Sequence, residues 1–219
     1  MDNWYNTTRA KTENIFQAII KDNFVSEMMS GDLPKDIFGF YVNQDTLYLA
    51  EYKKALVAVG VKCYETNEIQ FFLEAATGIL AIEGALHQLF LEKEYVNEEP
   101  SPTCELYTSY MARVIDNASV EVGLAAILPC FTIYKEVGDY ILENQSSDHS
   151  EANPYQSWIE TYASEEFALA VEQAVAITNK YAQNTSAETL ERMEEAFVKT
   201  SKLEWMFWNS AYRQEKWPV

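Results

Sequence analysis

Residues 34–59, PKDIFGFYVNQDTLYLAEYKKALVAV, have the clearest helical pattern in the chain. Large side chains recur there at spacings of three and four, and this period places them on one face of an α-helix; they are Phe38, Tyr41, Asp45, Tyr48, Leu49 and Tyr52. Apolar periodicity also predicts a helix over 4–21, and a third is expected over 68–94, interrupted only by two glycines.

Capping residues mark the starts of further helices. Ser101-Pro102 and Asn153-Pro154 each place a capping side chain before a proline, which suits the first helical position. Thr185 followed by Glu188 is a capping box, so the last helix is expected to begin there and to end near residue 212.

The composition also favours an all-helical protein. Of 219 residues only 7 are Gly and 6 are Pro, too few turns for an all-β fold. About eight helical patterns follow one another with short joints, and the polar segment 143–152 is the clearest loop. We therefore predict an all-α fold, with residues 1–219 forming a single-domain multi-helix bundle.

Net charge and cysteine content limit the partners and the cellular compartment that the protein can have. The net charge of −18 repels phosphate backbones, so no nucleic-acid partner is expected. The three cysteines form no CxxC pair, and the N-terminal residues lack the apolar core of a signal peptide, which together indicate reduced thiols in the cytoplasm. The uncharged stretch 122–134 is too short to span a bilayer, so no membrane association is expected.

Pro129 and Cys130 form the first candidate for a chemical site. A mid-helix proline removes one hydrogen bond and crowds the carbonyl of Ala125, and such strain often accompanies function. A cysteine beside it is a plausible nucleophile if its thiolate is favoured. The alternative is that Cys130 is a small buried apolar residue beside a packing kink.

Two acidic residues, Asp45 and Glu204, lie on predicted helices that are rich in aromatic side chains. Asp45 could accept hydrogen bonds from an amino group on a flat heterocycle that stacks on Tyr48, or it could be tied to a backbone amide or an Arg. Glu204 shares a face with Phe207, and desolvation there would suit it to be a general acid. The alternative is an aromatic packing helix whose Glu reaches solvent.

Glu83 and His87 are the only candidate metal pair that the helical patterns provide. Di-iron bundles use Glu-x-x-His twice, whereas these two residues are four apart and occur once, so an ion pair is favoured over a metal site. We therefore predict no metal and no cofactor.

A series of segments matches one known family in order and approximate spacing over nearly the whole chain. They are Ile15-Phe16, Asn23-Phe24-Val25, Leu33-Pro34, Tyr41-Val42-Asn43-Gln44-Asp45, Tyr48-Leu49, Glu83, His87, Tyr107-Thr108-Ser109, Leu128-Pro129-Cys130, Tyr134, Tyr162-Ala163-Ser164-Glu165-Glu166-Phe167 and Glu204-Trp205-Met206-Phe207-Trp208. The family that the chain resembles is TenA, also called thiaminase II or aminopyrimidine aminohydrolase. One departure is Asp22-Asn23, where the family has His-Pro; it is expected to lie away from the pocket.

The resemblance implies a heme-oxygenase-like helical fold without heme, assembled as a homotetramer. It implies an enzyme of thiamin salvage, a hydrolase that converts 4-amino-5-aminomethyl-2-methylpyrimidine to the 5-hydroxymethyl compound and cleaves thiamin more slowly. Cys130 places the chain in the cysteine-containing class of the family.

The family's catalytic roles fall on three residues of this chain. The resemblance implies that Cys130 adds to the pyrimidine ring and helps to expel the amine. Glu204 would protonate the ring and later help to activate water, and Asp45 would hydrogen-bond the ring nitrogen and the exocyclic amine.

Five further residues would form the pocket by the same resemblance. Tyr48 and Phe207 would sandwich the ring. Tyr162 would hold the thiol by a hydrogen bond, while Tyr107 and Tyr134 would line the pocket.

Two other functions remain open from sequence. A metal-dependent oxidase on the same scaffold would use Glu83 and His87, but no second ligand pair is present and the Pro129-Cys130 site would go unexplained. A non-catalytic regulatory protein with a small-molecule pocket would not need the combination of a cysteine and two carboxylates.

Overall fold

The computed structural model describes residues 3–90, 99–145 and 153–219, and for residues 79–90 it describes the backbone only. The described residues form ten helices and no strand, which confirms the all-α prediction. The helices are α1 (Trp4–Lys11), α2 (Glu13–Ile20), α3 (Asn23–Ser30), α4 (Lys35–Gly60), α5 (Thr66–Phe90), α6 (Pro102–Asn117), α7 (Val120–Asn144), α8 (Gln156–Ala163), α9 (Glu165–Gln183) and α10 (Ala187–Tyr212). Within these ranges, no helix combines the length and the apolar character that crossing a bilayer requires.

The long helices begin close to where the sequence predicts. Helix α4 starts directly after Pro34 and buries the predicted face, including Tyr41 and Tyr48. Helix α5 matches the third pattern up to residue 90, and the expected end at 91–94 lies outside the described residues. Helix α7 continues to Asn144, and residues 146–152 of the predicted loop are also outside the described part.

The prediction of one helix over 4–21 is wrong, because the chain breaks at Thr12 into α1 and α2. Thr12 has φ −102° and ψ 8°, and its hydroxyl donates to the Arg9 carbonyl at 2.9 Å. A threonine hydroxyl that bonds a nearby carbonyl offers the backbone an alternative to the regular helical ladder. Periodicity cannot detect this break because the apolar side chains keep their spacing across it.

The structure confirms one predicted helix cap and moves another by one residue. Ser101 accepts a hydrogen bond from the Cys104 amide at 3.2 Å, as expected for the start of α6. The cap of α10 is Ser186 rather than Thr185, because it is the Ser186 hydroxyl that accepts from the Thr189 amide, at 3.2 Å.

Asn153 does not cap a helix that starts at Pro154. Its side-chain oxygen accepts from the Tyr155 amide in a turn, and α8 starts only at Gln156. The amide group of the same side chain donates to the Met28 carbonyl at 2.9 Å, so Asn153 instead ties this turn to the end of α3.

Helix α7 is the central element. Helices α4, α6, α8, α9 and α10 all contact it, and most of its side chains are buried. Aromatic rings fill the space beside it: Tyr41 stacks on Trp208 with centroids 5.4 Å apart, and Trp208 lies 5.1 Å from Tyr134. Such ring pairs contribute about 0.5–1.5 kcal/mol each beyond their buried area.

Gly138 lets α8 approach α7 closely. A Cβ atom at this position would lie 2.8 Å from the Tyr162 carbonyl carbon and 2.9 Å from the Ala163 nitrogen. Only glycine fits such a backbone contact without displacing one of the two helices. Gly138 therefore sets the distance at which Tyr162 faces α7.

Candidate active site

Five helices bring all eight predicted site residues into one buried cluster, which we call the site cluster. None of them is more than 8 % exposed. They are Asp45 and Tyr48 on α4, Tyr107 on α6, Cys130 and Tyr134 on α7, Tyr162 on α8, and Glu204 and Phe207 on α10.

Glu204 is a carboxyl group that holds its proton at neutral pH. It is 1 % exposed, and burial is the main cause that raises its pKa to about 8. A hydrogen bond from the Tyr107 hydroxyl to Oε1, at 2.6 Å, lowers the pKa, and the charge of Asp45 raises it. The rise expected from an aromatic environment is therefore present, and the group is poised to give up a proton near physiological pH.

Cys130 is neutral in the resting site. Burial raises the pKa of its thiol well above the usual value, and the charges of Glu204 and Asp45 raise it further. Hydrogen bonding with Tyr48 and Tyr52 lowers it. The low-pKa thiolate that a surface nucleophile would show is therefore not preformed, and a reaction must remove the thiol proton within the site.

The hydroxyls of Tyr48 and Tyr52 act on the thiol by lowering its pKa. Among the described side chains, Tyr162 forms no hydrogen bond with the thiol. Tyr162 instead packs its ring on Tyr134, with centroids 4.9 Å apart. Its role in holding the thiol therefore stays a prediction, and its side chain is part of the site cluster.

A chain of hydroxyls leads to Asp45. The Trp158 indole N–H donates to the Tyr41 hydroxyl at 3.3 Å, and Tyr41 donates to Tyr134, also at 3.3 Å. Tyr134 donates to Asp45 Oδ1 at 3.5 Å. The carboxylate can only accept, so Tyr134 donates its single proton to Asp45 and accepts from Tyr41, which in turn accepts from the indole N–H. Asp45 is thus oriented to accept hydrogen bonds.

The predicted ring sandwich is closed in this structure. The Tyr48 and Phe207 centroids are 5.5 Å apart and the rings are tilted by 53°. A third ring between them needs a separation of about 7 Å, twice the van der Waals thickness of a ring. A flat substrate can enter between them only if the two rings separate by an ångström or more.

Sequence reasoning missed Tyr52, Tyr41 and Trp158 as parts of the site. Tyr52 and Tyr41 lie on the predicted face of α4, so their helical spacing could have identified them as neighbours of Asp45 and Tyr48. Their partners, however, lie on α7 and α8, and a contact between distant helices has no local signature.

A surface cleft of about 280 Å³ between α4 and α6 lies away from the site cluster. Glu51, Cys104 and Glu105 contribute to its lining. Burial is the main cause that raises the pKa of the Cys104 thiol to about 12, and the pKa of Cys63 to about 11. Neither thiol belongs to the site cluster.

The side chains of the candidate metal pair, Glu83 and His87, lie outside the described residues. Among the described side chains, no three His, Cys, Asp or Glu residues come together as they would around an ion.

Known proteins resemble this chain along most of its length. The profile of the TENA/THI-4/PQQC family matches residues 9–214. The aminopyrimidine aminohydrolase of Bacillus subtilis is 36 % identical over 203 residues, which cover 89 % of this chain and 83 % of the relative.

Solved structures share the fold. A TenA homologue from P. horikoshii superposes with a TM-score of 0.85 at 27 % identity, covering 97 % of this chain and 99 % of the other. A Shewanella denitrificans domain described as having a heme oxygenase-like fold superposes at 0.75 with 13 % identity, covering 98 % and 93 %. The second likeness concerns the fold alone, and it agrees with the predicted heme-oxygenase-like architecture. With the family profile spanning nearly the whole sequence and the Bacillus relative more than 30 % identical, this chain belongs to the TENA/THI-4/PQQC family.

Proposed function

We propose that this chain is an aminopyrimidine aminohydrolase, or thiaminase II, of thiamin salvage. It would hydrolyse 4-amino-5-aminomethyl-2-methylpyrimidine to the 5-hydroxymethyl compound and ammonia, and would cleave thiamin more slowly. The observation that carries this proposal is the meeting of Cys130, Glu204 and Asp45, from three helices, in one buried cluster. The name of the Bacillus subtilis relative supports the same reaction.

The protonation states of Cys130 and Glu204 suit the addition of a thiol to a heterocycle. At neutral pH both Cys130 and Glu204 hold protons, since the pKa of each lies above 7. Glu204 gives its proton to a ring nitrogen while a sulfur lone pair forms the C–S bond, and the resulting carboxylate then accepts the thiol proton.

The remaining steps use Glu204 again. The enamine formed by addition expels the amine from the 5-methylene, and the amine leaves with a proton from Glu204. Water then adds to the methylene as the Glu204 carboxylate takes its proton. Loss of the ring N–H proton and cleavage of the C–S bond restore the aromatic ring and the Cys130 thiol.

Asp45 and the aromatic residues would bind the substrate. Asp45 would accept hydrogen bonds from the exocyclic amine, and from the ring nitrogen when that nitrogen is protonated. Tyr48 and Phe207 would separate to admit the ring, and Tyr107, which contacts Glu204, would help to hold the acid in place.

We further propose a single-domain cytoplasmic enzyme that forms a homotetramer and needs no metal. Buried free thiols suit a reducing compartment. The exposed apolar side chains of Val57, Val61 and Leu73 near the contact between α4 and α5 offer a surface that another subunit would cover.

Product analysis tests the proposal. The purified chain is incubated separately with the aminomethyl pyrimidine and with thiamin, and products are identified by mass spectrometry. We expect the hydroxymethyl pyrimidine from both, with the aminomethyl compound consumed faster, and no change in rate after dialysis against a chelator. Failure to consume either compound would refute the proposal, and a lost rate restored by iron or manganese would favour the oxidase.

A further inference from the structure

Two side chains outside the site cluster hold the start of α6, and we call them the α6 clamp: Gln44 of α4 and Glu215, which follows α10. Gln44 is 2 % exposed. Its Oε1 accepts from the Ser101 N–H at 2.8 Å, and its Nε2 donates to the Glu99 carbonyl at 3.2 Å. Glu215 Oε2 accepts from the Thr103 N–H at 2.9 Å. The clamp therefore satisfies two of the N–H groups that a helix start leaves without a helical partner.

A strained turn brings Glu215 to this position. Gln214 has φ 47°, and in the part of the chain that the structure describes it is the only non-glycine residue with a positive φ. The Gln214 N–H donates to the Ala211 carbonyl and the Glu215 N–H to the Ser210 carbonyl, both at 3.0 Å, in a helix ending that usually has glycine at the left-handed position. Backbone strain of this kind persists only where the surrounding structure requires it. The contact between Glu215 and α6 is such a requirement.

The clamp sets the register between α4 and α6. The Cys104 thiol donates to the backbone carbonyl of Gln44 at 3.7 Å, so the first turn of α6 lies against this turn of α4. About one turn further along both helices, the rings of Tyr48 and Tyr107 have centroids 4.9 Å apart. Because a helix is rigid over a single turn, a displacement of the clamped end of α6 also displaces Tyr107.

Tyr107 connects α6 to the proposed acid. Its hydroxyl donates to Glu204 Oε1 at 2.6 Å. Hydrogen bonds between two oxygens are confined to about 2.5–3.0 Å, so a shift of Tyr107 by about 1 Å would break this one. The contact between Tyr107 and Glu204 therefore depends on where the start of α6 is held.

We propose that Gln44 and Glu215 are positioning residues that keep the Tyr107 hydroxyl on Glu204 by fixing the start of α6. They act through Tyr107 and not on the substrate. The importance of this arrangement for catalysis rests on the proposed function, whereas the coupling between the clamp and Glu204 requires no substrate.

The test follows the protonation of Glu204 in the absence of substrate. The infrared C=O band of its protonated carboxyl is assigned by its loss in Glu204→Gln, and titration of the band gives the pKa, which is about 8. The hydrogen bond from Tyr107 lowers that pKa, so Tyr107→Phe should raise the midpoint by about one pH unit, the usual scale for a hydrogen bond to a charged group. Gln44→Met and Glu215→Ala should shift it in the same direction. A midpoint at the wild-type value in either folded variant would overturn the proposal.

Double variants show whether the clamp acts through Tyr107. Adding Gln44→Met or Glu215→Ala to Tyr107→Phe should move the midpoint no further, because the hydrogen bond that the clamp maintains is already absent. Shifts that add up would mean that the clamp acts on Glu204 by another route, and they would overturn the proposal.

Apart from Tyr107 itself, the ionisable groups around Glu204 are the same in all these variants. Asp45, Cys130, Tyr52 and the tyrosines of the site cluster interact electrostatically with Glu204. Burial raises the pKa of Cys130 and of these tyrosines well above the usual values, so they stay neutral while Glu204 titrates. A shifted midpoint therefore reports on the hydrogen bond from Tyr107.

Asn179→Leu is the matched control. Asn179 is also a buried amide whose oxygen accepts a backbone N–H near a helix start, that of Tyr5 in α1 at 2.9 Å, but it connects α1 to α9, which carry no residue of the site cluster. Its midpoint should equal that of the wild type. An equal rise in Asn179→Leu would mean that any loosened helix has this effect, and it would overturn the proposal.

Glu215→Gln is the conservative variant. It keeps an oxygen for the Thr103 N–H and should restore the wild-type midpoint, and a midpoint as high as that of Glu215→Ala would overturn the proposal. If Gln44→Met does not fold because the buried Ser101 N–H loses its acceptor, the half-buried Glu215 decides alone through its two variants. None of these measurements uses a pyrimidine, so the inference and the proposed function can fail separately.

Discussion

Replacing Glu204 with Gln should stabilise the folded chain at alkaline pH even though it removes the proposed acid. Glu204 is buried, and its carboxylate form is costly there because water is excluded. Gln is neutral at every pH, has nearly the same shape and keeps an oxygen to accept the hydrogen bond from Tyr107. The substitution therefore removes an electrostatic cost and little else.

The size of the effect follows from the pKa. In the unfolded chain a Glu titrates near 4.5, whereas burial raises the pKa of Glu204 to about 8 in the folded state. Between these values the folded state holds a proton that the unfolded state has released, so this contribution to stability is complete below about pH 4.5 and is lost as pH rises through about 8. The difference of about 3.5 pH units, at about 1.36 kcal/mol each, amounts to about 5 kcal/mol.

The assay is urea unfolding of wild type and Glu204→Gln at several pH values between 4 and 9. Taking the difference between the two chains cancels the titration of all other groups. We expect that difference to grow in favour of the variant by several kcal/mol across the window, a large share of a typical domain stability of about 5–15 kcal/mol. A difference that stays flat with pH would mean that Glu204 is not buried and protonated as described.

Glu68→Gln is the control with the opposite sign. Glu68 is also buried, but hydrogen bonds from Lys180 and Tyr181, at 2.6 and 2.7 Å, outweigh the effect of burial and lower its pKa. Its contribution to stability is present above the unfolded pKa and lost as pH falls, so Glu68→Gln should destabilise the chain at neutral pH.

In Glu204→Gln, turnover should also fall by about 100-fold while substrate still binds. A loss of affinity alone would refute the role of Glu204 as acid.

Three further outcomes can be checked with the same substrate. Asp45→Asn should raise KM and lower kcat in steady-state titrations, because it places a donor opposite the substrate amine; unchanged constants would remove Asp45 from the site. Cys63→Ser and Cys104→Ser should keep full activity, since both thiols lie outside the site cluster, and an inactive Cys104→Ser would mean that the wrong thiol was assigned. Gly138→Ala should cost about 1–3 kcal/mol in urea unfolding and slow turnover, because its Cβ would meet the backbone at Tyr162; an unaffected variant would show that the close packing of α7 on α8 is not needed.

Periodicity and capping chemistry predicted much of the fold. Helix α4 and the start of α6 at Ser101 lie where these local signals place them. The break at Thr12 and the turn at Asn153 were missed because side chains there bond the backbone in ways that do not alter apolar spacing.

The site was predictable as a set of residues but not as an arrangement. Residue types on the helical patterns singled out Cys130, Glu204 and Asp45, and the resemblance supplied their roles. Burial explains the raised pKa of Glu204. The contact between Tyr52 and Ile127 and the closed rings of Tyr48 and Phe207 depend on how α4, α7 and α10 pack, so no local pattern contains them.

Cys130→Ser tests the central claim most directly. The variant and the wild type are compared in the rate at which they form the hydroxymethyl pyrimidine from the aminomethyl compound, after thermal unfolding has shown that both are folded alike. An alcohol is a far weaker nucleophile than a thiolate, while the change in volume is small, so we predict that turnover is abolished and the fold is retained. A folded Cys130→Ser chain with full activity would contradict the account.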